Sequence, residues 1–358
     1  MIRRSDFIPD RIWVYRGQGS SLYPLCRTED PDAWAGIADS DDAIVTQVDY
    51  GDPTDGGTGT FPTSSSSAPE VMEIMLGLLD VQKGMAVLEI GAGTGFNAAL
   101  IAERATPGRV TTIEVDPTVA NHARTALART ALPVTVVTGD GTLGYPPDAP
   151  YDRIMCTASV RHVPYTWIEQ SKPGGNIVLP LVGGFARQAF LLLTVEDDGT
   201  ASGQFHGGAS FMRLRNQQDD TPLWQVVNLA SAESYDEEPD DVHISMTEAC
   251  PTEPFIDANA GFAVGLLLPG WVAKRRIRDG VTLLSHRPSG SWASVVPCED
   301  EHRVYHQGPR RLWEDLETAF RWWVDAGRPD RARFGLTVTP AGQSFWLDSP
   351  DNQLAPIG

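Results

Sequence analysis

No stretch restricts the fold more than Val87-Leu-Glu-Ile-Gly-Ala-Gly-Thr-Gly-Phe-Asn-Ala-Ala99. An apolar run over residues 85–90 ends in a glycine-rich turn, and small residues over 98–102 continue as a helix. That is the strand, loop and helix that open a doubly wound α/β unit. Glycine at 91, 93 and 95 removes the Cβ atoms that would hold a ligand off the turn, and glycine takes positive φ at little cost. The amides at the helix start are expected to be free and to favour an anionic group, a carboxylate as readily as a phosphate. The spacing Gly-x-Gly-x-Gly differs from the dinucleotide fingerprint, and no lysine makes the turn a P-loop. Residues 110–115 read as the next strand and place Glu114 about 20 residues after the turn, where a ribose-binding carboxylate belongs. Residues 134–141 supply a third strand that ends in Asp140 and Gly141. Ligands in such sheets sit outside the carboxyl ends of the strands, so these three ends describe a nucleoside pocket.

Glu89-Ile-Gly-Ala-Gly-Thr-Gly95, Glu114 and Gly139-Asp-Gly141 resemble the motifs of S-adenosylmethionine-dependent methyltransferases. More narrowly, they are similar to those of the protein-L-isoaspartate O-methyltransferases. The narrower likeness also rests on Phe7-Ile-Pro9, on Ser65-Ser-Ser-Ala-Pro69 beside the family's Thr-Ile-Ser-Ala-Pro, and on residues 151–158 and 173–180. Phe211-Met-Arg-Leu214 falls where the family has its Val-Pro-Leu strand, and the likeness spans residues 7–215.

The resemblance implies S-adenosylmethionine as methyl donor and S-adenosylhomocysteine as product. It implies that Glu114 holds both ribose hydroxyls and that Asp140, with Gly141, accepts from the adenine amine. Glu89 either fixes the glycine loop or reaches the methionine ammonium. Ser65, Gly91, Ala92, Gly93, Thr94, Gly95, Asn97, Val115, Thr142 and Thr157 complete the expected cofactor contacts. The family's catalytic-pocket serine falls at Ser67, with Ser66 beside it, and Pro69, Met212 and Arg213 are expected to face the substrate. Ser66 replaces an apolar residue of the family pattern, and Glu70 stands where an aromatic, His or Met is usual. The acceptor pocket is therefore altered.

The chain has 358 residues, 41% of them apolar, which suits two domains and a sizeable core. Its four cysteines form no CxxC pair, so reduced thiols in a cytoplasmic protein are expected and a zinc site is not. His162 and His206 lie near the expected substrate side without a metal-ligand partner in sequence. No apolar h-region opens the chain, and residues 261–269 are too short an apolar run for a membrane span. A net charge of −19 argues against nucleic acid and permits a cationic partner. The oligomeric state stays open.

Residues 43–48 alternate as a short strand, and a loop is expected from Asp49 through the serine run to Pro69. A helix begins at Glu70 with Val71, Ile74, Met75 and Leu78 on one face. Asp116 and Pro117 read as cap and first residue of a helix reaching Leu132. Residues 151–157 and 176–182 read as strands, 165–171 as a short helix, and 190–195 with 211–215 as a late hairpin. Residues 216–262 contain no Lys or Arg and many acids, which sets the expected division: a methyltransferase domain over 1–215 and an accessory α+β domain over 216–358, with a role in peptide recruitment. Strands are expected there at 262–268, 281–285, 292–296, 334–338 and 344–347, with a helix over 309–326 that places Trp313, Trp322 and Trp323 in the core.

A carboxylate acceptor is already ionised at neutral pH, so methyl transfer to it needs no strong base. Alignment alone can contribute about 7–11 kcal/mol. Three readings follow. The first is an aspartyl O-methyltransferase that tailors a ribosomally made peptide, its ester closing to a succinimide (aspartimide). This rests on the resemblance, since enlarged relatives with an extra C-terminal domain are associated with such tailoring. The second is repair of isoaspartyl proteins. The third is a non-catalytic nucleotide-binding module, against which the intact glycines and acids argue.

Overall fold

The computed structural model describes residues 2–17, 21–54, 57–185, 187–208, 210–218, 242–249, 252–276, 279–298 and 301–357. The acidic run expected at 233–241 lies outside them. Among the described residues the strands form three sheets.

The first is antiparallel, in the order β2-β1-β3-β4: β1 (Arg11–Tyr15), β2 (Leu22–Cys26), β3 (Ile44–Val48) and β4 (Pro62–Ser66). Helix α1 (Pro31–Ala38) joins β2 to β3, and Asp30 caps it by accepting from the Ala33 amide. β4 corrects the expected loop. Ser64, Ser65 and Ser66 pair with Gln47, Val45 and Ile44, so main-chain pairing to β3 holds extended a segment whose side chains carry no strand signal.

The second sheet carries the site. It runs β18-β17-β11-β10-β9-β8-β5-β6-β7, with β5 (Ala86–Ile90), β6 (Arg109–Glu114), β7 (Val134–Thr138), β8 (Tyr151–Cys156), β9 (Ser171–Val182), β10 (Gln188–Val195), β11 (Ala201–His206), β17 (Phe334–Thr339) and β18 (Gly342–Leu347). From β9 to β7 the strands are parallel, and from β9 outward to β18 they are antiparallel. β5 is buried at every residue, Glu89 included, because both its faces are covered. Val87 meets Met75, Leu76 and Leu79 of α2 (Pro69–Leu79) and Ile101 of α3 (Phe96–Ala105) in one cluster. Leu88 and Ile90 belong to another cluster with Trp167 and Ile168 of α5 (Tyr165–Glu169). The buried face of α2 is Met72, Met75, Leu76 and Leu79; Ile74, expected on that face, is 47% exposed. Between β6 and β7, α4 (Pro117–Leu127) starts as expected, with Asp116 accepting from the amides of Thr118 and Val119.

The third sheet, β12-β16-β15-β14-β13, is antiparallel: β12 (His243–Thr247), β13 (Trp271–Arg275), β14 (Thr282–His286), β15 (Ser291–Pro297) and β16 (His302–Gln307). The helix Leu312–Asp325 packs Trp313 against it and sends Trp323 into the core of the main sheet.

Three expectations change here. β10 pairs with β11, not with 211–215, which forms only an isolated bridge from Arg213 to Ser159. Residues 258–267 are a helix, not a strand: Asp257 caps it, and every residue from Ala260 to Leu267 is buried. A helix apolar all round shows no 3.6-residue period, so it reads like a buried strand. Finally, the main sheet crosses the boundary expected at 216, since β17 pairs with β11 over Ala201–Val338 to Gln204–Gly335.

Candidate active site

The chain order places a switch point between β5 and β8, because the connections after β5 run to β6 and β7 before returning on its other side. A cavity of about 420 Å³ opens there. Its floor comes from the carboxyl ends of the parallel strands, and β4 and residues 210–215 also line it. The two serine-bearing and glycine-bearing segments touch: a Cβ on Gly93 would stand 3.1 Å from the Ser65 carbonyl oxygen, and Gly93 has φ +52°.

At the glycine end, Glu114 lines the cavity beside Val115, Thr94 and Gly141. The Gly93 amide donates to Glu114 Oε2 at 3.0 Å and the Asp116 amide to Oε1 at 3.1 Å, which orients the carboxylate and leaves it lone pairs for hydroxyls. Burial raises its pKa, against the pull of those two amides and Arg215. Thr157, the residue after β8, donates from Oγ1 to the Gly91 carbonyl at 2.8 Å and ties the turn to the end of that strand.

The turn is not the anion cradle expected from its helix start. The amides of Gly91 and Ala92 donate to the Ile113 carbonyl, that of Gly93 to Glu114, and that of Gly95 to the Ala92 carbonyl. With the amides of Gly91, Ala92, Gly93 and Gly95 engaged and an acid beside it, this turn suits a ribose and a cationic ligand better than a phosphate. Asn97, at the start of α3, lines the cavity and is 8% exposed. Its Nδ2 donates to Glu89 Oε1 at 2.7 Å, while its Oδ1 is buried with no partner among the described residues. An ammonium donor from a ligand would satisfy that oxygen.

Five expected contacts are not among the residues that line the cavity. Glu89 is fully buried, accepts from Asn97 and Thr112 Oγ1, and is raised by burial to about 7; it fixes the turn and does not reach a ligand. Gly95 faces Leu127 and Ala123 of α4. Asp140 accepts from the Thr142 amide at 2.9 Å and from Asn216 Nδ2, one bond at each oxygen, as Glu114 does. Thr142 gives that amide, and its carbonyl accepts from Thr166 Oγ1. Pro69 starts α2, and it is Ala68, Val71 and Met72 that line the cavity instead.

Ser64, Ser65, Ser66 and Ser67 also line the cavity, as do Met212 and Arg213. The 210–218 segment is a strap tied at several points. The Ser159 amide donates to the Met212 carbonyl at 2.8 Å, and the Leu214 amide to the Ser159 carbonyl at 2.9 Å. Arg215 donates to Asp116 Oδ2 at 3.2 Å and Gln47 Oε1 at 3.1 Å, and its guanidinium lies 5.0 Å from the Tyr50 ring centre. Gln47 Nε2 donates to the same Asp116 oxygen at 3.0 Å. Hydrogen bonds from Gln47 and the helix amides, with Arg215 beside it, hold the Asp116 carboxyl below its ordinary value despite burial.

Sequence reasoning missed Arg4, Gln47, Arg215 and Asn216. Each touches its partner across many residues of chain, as Arg4 reaches Ser66 and Arg215 reaches Asp116, so no local spacing marks them. His162 and His206 join no metal-type cluster among the described residues, and burial lowers both.

Residues 50–219 match the family model for protein-L-isoaspartate (D-aspartate) O-methyltransferase. The protein of that name from Methanopyrus kandleri is 46% identical over 155 residues, which is 42% of this chain and 68% of the relative. The Pyrococcus horikoshii protein is 41% identical over 149 residues, 41% of this chain and 67% of the relative. The chain belongs to the protein-L-isoaspartate O-methyltransferase family. The matched residues hold every cavity-lining residue except Ala43 and Val45. A solved structure titled protein-L-isoaspartate O-methyltransferase superposes with a TM-score of 0.52 at 21% identity, covering 97% of this chain and 92% of its own. That likeness concerns the fold, and it includes the C-terminal sheet.

Proposed function

We propose that this chain methylates the free carboxylate of an isoaspartyl residue in a protein or peptide, with S-adenosylmethionine as donor. One observation carries the reading: Glu114 and the serine strand line the same cavity, so a nucleoside and a carboxylate can share it. The cofactor supplies a sulfonium methyl, which an acceptor carboxylate oxygen takes in line while the C–S electron pair stays on sulfur. Glu114 offers its oxygens to the ribose hydroxyls, Asn97 Oδ1 accepts from the ammonium, and Gly91, Gly93 and Gly141 let the ligand lie against the main chain. Ser66 and Ser67 hold the acceptor by hydrogen bonds that leave its charge on the attacking oxygen. β4 and the strap line the cavity beside the acceptor.

In an isoaspartyl linkage the main chain runs through the side-chain carboxyl, so the free group is an α-carboxylate. Its methyl ester is a better electrophile than the acid, and the following main-chain nitrogen can close a succinimide with loss of methanol. Relatives named for isoaspartate support this acceptor. The serine at position 66 supports a second reading, an ordinary aspartyl side chain of a ribosomally made peptide converted to aspartimide. In either case residues 216–358 would recruit the substrate, and the −19 net charge favours a cationic one.

The deciding experiment offers the full chain S-adenosylmethionine and paired peptides that differ only in Asp or isoAsp, followed by mass spectrometry. Methyl transfer confined to isoAsp is the expected result. Transfer to Asp alone establishes the second reading. S-adenosylhomocysteine binding with no transfer to either peptide removes the carboxyl-methylation assignment.

A further inference from the structure

The guanidinium of Arg4 lies under the acceptor end of the cavity, remote in sequence from everything it touches. Arg4 is 7% exposed and sits in a short 3-10 turn, Arg4–Asp6. All three of its guanidinium nitrogens donate to oxygens. Nη1 donates to the Ser40 carbonyl at 2.8 Å and Nη2 to the Asp42 carbonyl at 2.7 Å. Nη2 also donates to the Ser66 carbonyl at 2.8 Å, and Nε to Ser66 Oγ at 3.1 Å. The guanidinium thus binds Ser66 at both its main chain and its side chain, at the last residue of β4. Ser66 is itself 3% exposed and lines the cavity.

A serine oxygen that accepts from a cation keeps its own proton to give. Among the described residues no hydrogen-bond acceptor is found for the Ser66 hydroxyl proton, and Ser66 is one of the residues that line the cavity. The neighbouring positive charge polarises the O–H and makes it a stronger donor in a low-dielectric site. The arrangement suits a carboxylate that must be gathered and aligned without being neutralised. A direct ion pair would hold both charge and lone pairs at the guanidinium, whereas one hydroxyl between them passes on part of the attraction and leaves an oxygen free to attack.

We propose that Arg4 is a positioning residue for the acceptor carboxylate, acting through Ser66 as a cation–hydroxyl relay. The proposal rests on the carboxylate-acceptor reading above. It assigns a use to the serine that departs from the family pattern and to a residue outside the family-matched segment.

Arg4→Met, Arg4→Lys, Ser66→Ala and the Arg4→Met/Ser66→Ala double variant test it, each measured for S-adenosylhomocysteine affinity and for kcat and KM with the better peptide substrate. Arg4→Met and Ser66→Ala are each expected to lower kcat/KM by roughly 10- to 100-fold, the value of one charge-assisted hydrogen bond, with cofactor affinity unchanged. The double variant should be no worse than the more damaged single variant, and Arg4→Lys should recover part of the loss. Full activity in Arg4→Met, or losses that multiply in the double variant, overturns the relay and leaves Arg4 a structural tie. If Arg4→Met fails to fold, wild-type kcat/KM in Ser66→Ala overturns it alone. Should the wild-type chain methylate neither peptide, the failure belongs to the carboxylate-acceptor reading. Affinity of the isoAsp peptide for the S-adenosylhomocysteine-loaded chain then decides the relay, with Arg4→Met expected to weaken it and equal affinity counting against it.

Discussion

Two acids one strand apart have different tasks because one reaches the cavity and the other does not. Glu114 ends β6 at the cavity edge, and Glu89 lies one residue inside the end of β5, fully buried. Glu114→Ala is expected to remove charge-assisted contacts worth roughly 1.5–3 kcal/mol each, weakening S-adenosylhomocysteine binding at least tenfold in a calorimetric titration. Wild-type affinity in that variant would sink the ribose assignment. Glu89 predicts a pH effect on stability instead. Burial raises its carboxyl from 4.5 to about 7, so the folded chain keeps a proton that the unfolded chain loses across that window. Stability should therefore fall as pH rises from the lower value to the upper and level off above it, by at most about 3 kcal/mol. In Glu89→Gln that part of the slope should vanish, which urea midpoints at about pH 5 and about pH 8 will show.

Among elements, the strap decides access. It carries no regular structure beyond the 3-10 turn Arg215–Gln217, yet it is tied to β3, to the cap of α4 and to Asp140. The Arg215–Asp116 pair is mostly buried, with 23% and 9% of the two side chains exposed, so solvent screens it only in part. Arg215→Ala should cost about 1–2 kcal/mol of stability and speed S-adenosylhomocysteine release roughly tenfold in stopped-flow measurements. An unchanged release rate would show that the strap is not the barrier. The hairpin expected to include 211–215 came from an apolar cluster at the right distance after β10. The nearer partner is β11, whose glycine at 203 permits a close approach: a Cβ there would come 1.8 Å from the Leu192 carbonyl oxygen.

The whole molecule shares one hydrophobic cluster across the boundary that composition marks. Leu88 and Ile90 of β5 belong to the same cluster as Phe205, Phe262, Trp323, Phe334 and Leu336. Removing residues 216–358 would strip β17 from β11 and uncover that core. A 1–215 fragment is accordingly expected to aggregate or to unfold at far lower urea than the full chain, where loss of a single large aromatic such as Trp323 already costs about 3–5 kcal/mol. A soluble, cooperatively folding fragment in gel filtration and urea titration would show that the first half folds alone. No helix among the described residues is long and apolar enough to cross a membrane.

The sequence by itself determined the β5–turn–α3 unit, the strand ends bearing Gly91, Glu114 and Gly141, and the family. These features are local: glycine spacing, apolar runs and an acid at a set distance follow from steric and periodic rules that act over a few residues. Tertiary structure alone decided which acids reach the cavity, since Glu114 lines it while Glu89, one strand away, is enclosed by Asn97 and Thr112. It also decided that the serine run is a strand, because pairing with β3 supplies what its own propensity lacks. Arg4 and Arg215 found their partners only when distant segments met, and no rule of local spacing reaches from Arg4 to Ser66.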